Sequence, residues 1–122
     1  MSRILLVEHE PSLWRFYAQE LASDGDVVRT VEDGAGAIHE LTRERPDVVV
    51  LDVGPPQSGG LDVVERMLAM DRTIPIVMNT TCRSYADEPL AWAVDAYVDK
   101  SRDTTELRAK VREVLCSRSI NV

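Results

Sequence analysis

The chain has 122 residues, of which 44% are apolar and 29% charged, with a formal net charge of −7. That length suits one domain with a real core and leaves little room for a second. The acidic balance argues against a surface that grips a phosphate backbone, which needs clustered Lys and Arg, so no nucleic-acid contact is expected.

Ile4 to Val7 is a short continuous apolar run of the kind found in a strand buried on both faces, and it stops abruptly at Glu8-His9-Glu10-Pro11. The acids stand where an export signal would continue its apolar segment, and no stretch is long enough to span a bilayer, so a cytoplasmic protein without membrane contact is expected. Pro11 and Ser12 open a helix with Leu13, Phe16, Tyr17 and Leu21 on one face, and the "SDGD" that follows stops it. Val27 to Val31 reads as a second strand. Ala35, Ile38 and Leu41, with Ala37 nearby, predict a second helix, stopped before Pro46. Val48 to Leu51 is the clearest buried strand and ends on Asp52.

"VGPPQSGG" is a loop by composition, and Leu61, Val64 and Leu68 carry a third helix. Ile74 to Met78 predicts a fourth strand with Asn79-Thr80-Thr81 at its polar end. A weak fourth helix is expected over Pro89 to Val94, and a fifth strand over Ala96 to Val98. Asp103-Thr104-Thr105-Glu106 has the spacing of a capping box with Asp as the cap, ahead of Leu107, Val111, Val114 and Leu115 on a fifth helical face. Cys82 and Cys116 lack metal-ligand spacing and read as free thiols. Trp14 and Trp92 read as partly exposed packing residues.

Five alternations of strand and helix imply a three-layer α/β sandwich, a parallel sheet with helices on both sides. In such a sheet, wound 2-1-3-4-5, the ligand crevice lies beyond the carboxyl ends of the first and third strands. Glu8, His9 and Asp52 should meet there, with Thr80 and Lys100 facing the same crevice. A carboxylate so placed can attack phosphorus and form an aspartyl phosphate, provided that cations neutralise the transferring group.

At these residues the chain resembles the receiver domains of two-component response regulators, over nearly its whole length. "ILLVEHEP" is similar to the family's first strand and acidic pair, and "VVVLDVGPPQSGG" to its phosphoacceptor strand and loop, with Pro56 and Gly60 at the loop's Pro and Gly. "IPIVMNTT" and "DAYVDKS" are similar to the fourth and fifth strands. The resemblance implies a flavodoxin-like (βα)5 fold and a single receiver-type domain over residues 1–122. It implies Asp52 as phosphoacceptor, Thr80 as the switch hydroxyl, Tyr97 as the aromatic switch and Lys100 as the phosphate-pairing lysine. Glu8, Asp52 and the backbone carbonyl of Gly54 would hold Mg²⁺. The implied partners are a sensor histidine kinase or phosphotransfer protein, and a downstream protein docking on the face of the fourth helix, fifth strand and fifth helix. Such a module is not an enzyme beyond catalysing its own phosphorylation and dephosphorylation.

The chain departs from the pattern at His9, where the family has its second acid. Mg²⁺ prefers hard oxygen ligands, so its binding should be weakened. Three readings of His9 stay open: a hydrogen-bonded imidazole in a site without metal, an imidazolium replacing some of the cation's charge, or a ligand for a softer metal such as Zn²⁺. Pro55 stands where the loop usually has Met, and Ser101 where a Pro usually follows the lysine. These departures leave a second reading, a pseudo-receiver that binds partners without phosphorylation. A flavin carrier on this fold would need a Ser/Thr/Gly-rich loop where "EHEPS" stands, so no organic cofactor is expected. A phosphatase nucleophile would have a second Asp where Gly54 stands.

Overall fold

The computed structural model describes residues 1–52, 60–80 and 94–120, without the side chains of 60, 61 and 118–120. The strands are β1 (Arg3–Val7), β2 (Val27–Val31), β3 (Val48–Leu51), β4 (Ile76–Thr80) and β5 (Ala96–Asp99). The helices are α1 (Pro11–Ala22), α2 (Gly34–Arg43), α3 (Gly60–Met70) and α4 (Thr105–Ile120). The last is the fifth helix of the sequence reading. Residues 89–93 of the expected fourth helix lie outside the described residues, and its last residue, Val94, lies in a bend. Gly54, Pro55, Pro56, Thr81, Cys82 and Trp92 also lie outside them.

All five strands run parallel, in the order β2-β1-β3-β4-β5. Helices cover both faces, which is why β1 from Ile4 onward and all of β3 are apolar without interruption. Their alternate side chains separate into two cores. Ile4, Leu6, Val48 and Val50 pack with Tyr17 and Leu21 of α1 and with Leu107 and Val111 of α4. Leu5, Val7, Val49 and Leu51 pack with Ala37 of α2 and with Val64 and Met67 of α3.

Helix α1 begins at Pro11, whose fixed φ suits the first helical position and whose missing N–H costs no hydrogen bond there. After its last turn the chain reverses at Gly25, whose φ of 91° lies in the left-handed region that favours glycine. The Asp33 carboxylate accepts from Gly36 N at 2.8 Å and caps α2.

Three local expectations are corrected. In α2 the core position is Ala37, fully buried, while Ala35 is exposed, because the helix already starts at Gly34 and its inner face is set by Ala37, Ile38 and Leu41. Strand β4 starts later and runs through Asn79 and Thr80, both buried, because ladder pairing with β5 continues to Thr80 opposite Asp99. Asp103 is not the cap of α4. Its Oδ1 accepts from Thr105 N at 3.0 Å and from the Thr105 hydroxyl at 2.6 Å, an Asx turn one residue early. Thr104 takes the cap position: its carbonyl accepts from Arg108 N at 2.9 Å, and its buried hydroxyl donates to Glu20 Oε1 at 3.1 Å.

Candidate functional site

The sheet itself delivers the site residues. Val7 lies opposite Leu51, and Thr80 opposite Asp99, so the ends of β1 and β3 are level, as are those of β4 and β5. One further ladder bond beyond each strand fixes the next backbone: Glu8 N donates to Val31 O at 3.0 Å, Asp52 N to Val7 O at 3.0 Å, and Lys100 N to Thr80 O at 2.9 Å. Three polar side chains from distant parts of the chain therefore enter one crevice at the carboxyl edge.

Lys100 joins them. Its Nζ donates to Glu8 Oε1 at 2.7 Å and to Asp52 Oδ2 at 2.9 Å. The Glu8 and Asp52 side chains are 1% and 8% exposed and the Lys100 side chain 11%, so these contacts are shielded from water. His9 sits at the rim, mostly in solvent, with Nδ1 3.6 Å from Asp52 Oδ2. One potential ligand atom from each of Glu8, His9 and Asp52 lies within 4.8 Å of the others.

The electrostatics follow from the count. Two carboxylates face one ammonium, which leaves one excess negative charge when both acids are ionised. Burial pushes the Glu8 carboxyl up to about 8, helped by the neighbouring Asp52 carboxylate and only partly opposed by Lys100. For Lys100 burial works in the lowering direction, but its bonds to Glu8 and Asp52 outweigh it and hold the ammonium above the usual lysine range. Glu8 Oε2 is buried with no hydrogen-bond partner among the described residues. A buried carboxylate oxygen without a donor is costly, and a proton or a cation would satisfy it.

Of the residues named from sequence, Glu8, Asp52 and Lys100 are brought into contact, and His9 within reach. Thr80 ends β4, fully buried, next to Lys100 through the backbone. Tyr97 of β5 lies opposite Met78 and packs, half-buried, against the α2–α3 core. Gly54 lies outside the described residues.

Sequence reasoning missed the role of Tyr17, which it placed only on the apolar face of the first helix. Its hydroxyl donates to the Ser101 carbonyl at 2.9 Å, and the Lys100 ammonium lies 6.0 Å from the centre of its ring. Tyr17 thus ties α1 to the loop carrying the site lysine. The available signal was a phenol, which needs a partner when buried, on an otherwise apolar helix face.

The oxygens of Glu8 and Asp52 suit a divalent cation, and the orphaned Glu8 Oε2 asks for one. The imidazole of His9 does not suit Mg²⁺, which demands an octahedral shell of hard oxygens. No helix among the described residues is long and apolar enough to cross a membrane.

Comparison with known proteins bears on this geometry. TcrX, a probable transcriptional regulatory protein of Mycobacterium tuberculosis, is 33% identical over 114 residues, covering 92% of this chain and 49% of that protein. The transcriptional activator IrlR of Burkholderia pseudomallei is 35% identical over 115 residues, covering 93% and 50%. The chain thus spans about half the length of the curated relatives it matches. Among crystal structures, the response regulator TrrA of Thermotoga maritima, in complex with Mg²⁺-BeF, is 32% identical with a TM-score of 0.86, over 93% of this chain and 99% of that one. TrrA in complex with the histidine kinase ThkA matches with 32% identity and a TM-score of 0.85, over 94% and 99%. The model of the response regulator receiver domain family matches residues 4–112. With its β2-β1-β3-β4-β5 sheet and its acid–lysine crevice, the chain belongs to the response regulator receiver domain family of two-component signalling.

Proposed function

We propose that this chain, acting as a single receiver-type domain over residues 1–122, accepts a phosphoryl group on Asp52 from a sensor histidine kinase or phosphotransfer protein. A carboxylate oxygen of Asp52 attacks phosphorus, the phosphorus–nitrogen bond of the donor's phosphohistidine breaks, and its imidazole leaves with the electron pair. The observation that carries this reading is the Lys100 ammonium on Asp52 Oδ2 at 2.9 Å, at the joined ends of β1 and β3. Held there, Lys100 can follow charge from the carboxylate onto the incoming phosphoryl oxygens. A divalent cation bound beside Asp52 would neutralise further charge on that group.

The new phosphoryl charge would draw the Thr80 hydroxyl and, through β5, repack Tyr97. That shifts the population of an interaction face made by β5, α4 and the helix expected over 89–94, where a downstream protein docks. The module is a signalling switch that catalyses only its own phosphorylation and dephosphorylation, and it works in the cytoplasm. The experiment is incubation with a small phosphodonor and a divalent cation, read by intact mass. One added phosphoryl group is expected on the natural chain and none on Asp52→Asn. No addition with any cation would refute the reading.

A second reading is favoured by one observation: His9 stands in the cluster with Glu8 and Asp52, where the family's second acid would stand. On that reading the domain is a pseudo-receiver that binds its partner without phosphorylation. Unchanged partner binding by Asp52→Asn would support it, and abolished output would exclude it.

A further inference from the structure

The cluster that would hold a cation is built from two carboxylates and an imidazole rather than from carboxylates alone. We infer that it takes a divalent cation of the imidazole-accepting class, Zn²⁺ or Co²⁺, in preference to Mg²⁺, with His9 as one ligand. This deepens the phosphoacceptor reading of the same crevice, and its test uses no phosphodonor.

Three observations carry it. The first is spacing. His9 Nδ1 lies 3.6 Å from Asp52 Oδ2. Two ligands about 2.1 Å from one ion are about 3.0–3.4 Å apart, so this pair lies within a few tenths of an ångström of sharing one ion. The His9 side chain is 69% exposed, so its imidazole can make the remaining adjustment without disturbing the core.

The second observation is the orphan. Glu8 is 1% exposed, its Oε1 is held by Lys100, and its Oε2 is buried without a partner among the described residues. Glu8, which keeps this oxygen, belongs to the same cluster as His9 and Asp52.

The third is charge. A bound cation would keep both Glu8 and Asp52 ionised, and with the Lys100 ammonium these three groups carry one net negative charge; an Asp at position 9 would make it two. A hard ion bound mainly by Coulomb attraction loses much of its hold with that charge. A softer ion recovers binding through the ring nitrogen, because imidazole suits Zn²⁺ and its neighbours while oxygen suits Mg²⁺.

The experiment measures Mg²⁺ and Co²⁺ affinities of the metal-stripped chain by calorimetry, with Co²⁺ absorption as a second readout. Both cysteines are replaced (Cys82→Ser, Cys116→Ser) so that thiols take no metal. Wild type, His9→Asp and His9→Ala are compared, and circular dichroism checks that each is folded. Because most protein sites bind Co²⁺ more tightly than Mg²⁺, the deciding quantity is the ratio of the two affinities. That ratio should favour Co²⁺ in wild type by about tenfold or more over His9→Asp, and His9→Ala should lose Co²⁺ affinity by a similar factor. An equal ratio in wild type and His9→Asp, or unchanged Co²⁺ binding by His9→Ala, would overturn the inference. Intact selectivity without phosphorylation would refute only the phosphoacceptor reading.

Discussion

Replacing Glu8 by Gln tests the electrostatics of the crevice most directly. The change keeps shape and removes one ionisable group that is almost wholly buried. In the folded chain Glu8 ionises at about 8, against 4.5 for an ordinary glutamate. Between those values the folded chain holds a proton that the unfolded chain has lost, so raising the pH favours unfolding. The wild-type chain should therefore lose stability as pH rises from 5 to 8, and Glu8→Gln should not lose this component. Each pH unit in that window is worth about 1.4 kcal/mol, giving a ceiling of roughly 4 kcal/mol across it. Rearrangement of Lys100 and entry of water would reduce that figure, but even ~2 kcal/mol moves the midpoint of a chain this size by roughly 6–12 °C. The assay is urea or thermal unfolding at pH 5, 6, 7 and 8 in a chelator, followed by far-ultraviolet circular dichroism. The two proteins should agree near pH 5 and diverge upward, with the variant the more stable at pH 8. Parallel profiles would show that Glu8 is not held protonated, and would refute the argument from burial.

Further outcomes follow from the same contacts. Lys100→Met leaves two buried carboxylates without their ammonium and should cost about 3–5 kcal/mol at pH 8. The cost should be smaller at pH 5, where Glu8 is protonated; a pH-independent loss would argue against the bridging geometry. Tyr17→Phe keeps the ring but orphans the Ser101 carbonyl, for a loss of about 1 kcal/mol by denaturant titration. No loss would mean that this hydrogen bond does not hold the lysine loop. A Cβ at Gly34 would run into the Val63 side chain, so Gly34→Ala should destabilise by about 1–3 kcal/mol. Adding Val63→Ala should relieve that clash, and additive losses in the double mutant would contradict it.

Much of this protein could be read from its residues. The uninterrupted runs Ile4–Val7 and Val48–Leu51 announce strands covered on both faces, because only a parallel sheet between helix layers buries every side chain of a strand. The alternation of elements, with the handedness of crossovers, leaves few ways to wind the sheet, and the polar residues ending those strands mark its carboxyl edge. Periodicity was weaker where a helix is short. The inner face of α2 turns on Ala37 rather than Ala35, a difference of two positions that small residues do not signal. The cap of α4 lies at Thr104 because Asp103 closes an Asx turn instead, and the spacing of hydrogen-bonding side chains fits either arrangement.

The order of residues along the chain is enough to name the chemical groups and the strand ends that carry them: Glu8, His9, Asp52, Thr80 and Lys100. Which of them touch is set by the folded arrangement. That Lys100 bridges Glu8 and Asp52, that Glu8 keeps one buried oxygen without a partner, and that Tyr17 grips the lysine loop depend on contacts between residues 44 to 92 positions apart. The physical reason is that ionisation and ligand preference depend on distance and burial. Both are set by the register of β1, β3, β4 and β5 rather than by the neighbours of each residue along the chain.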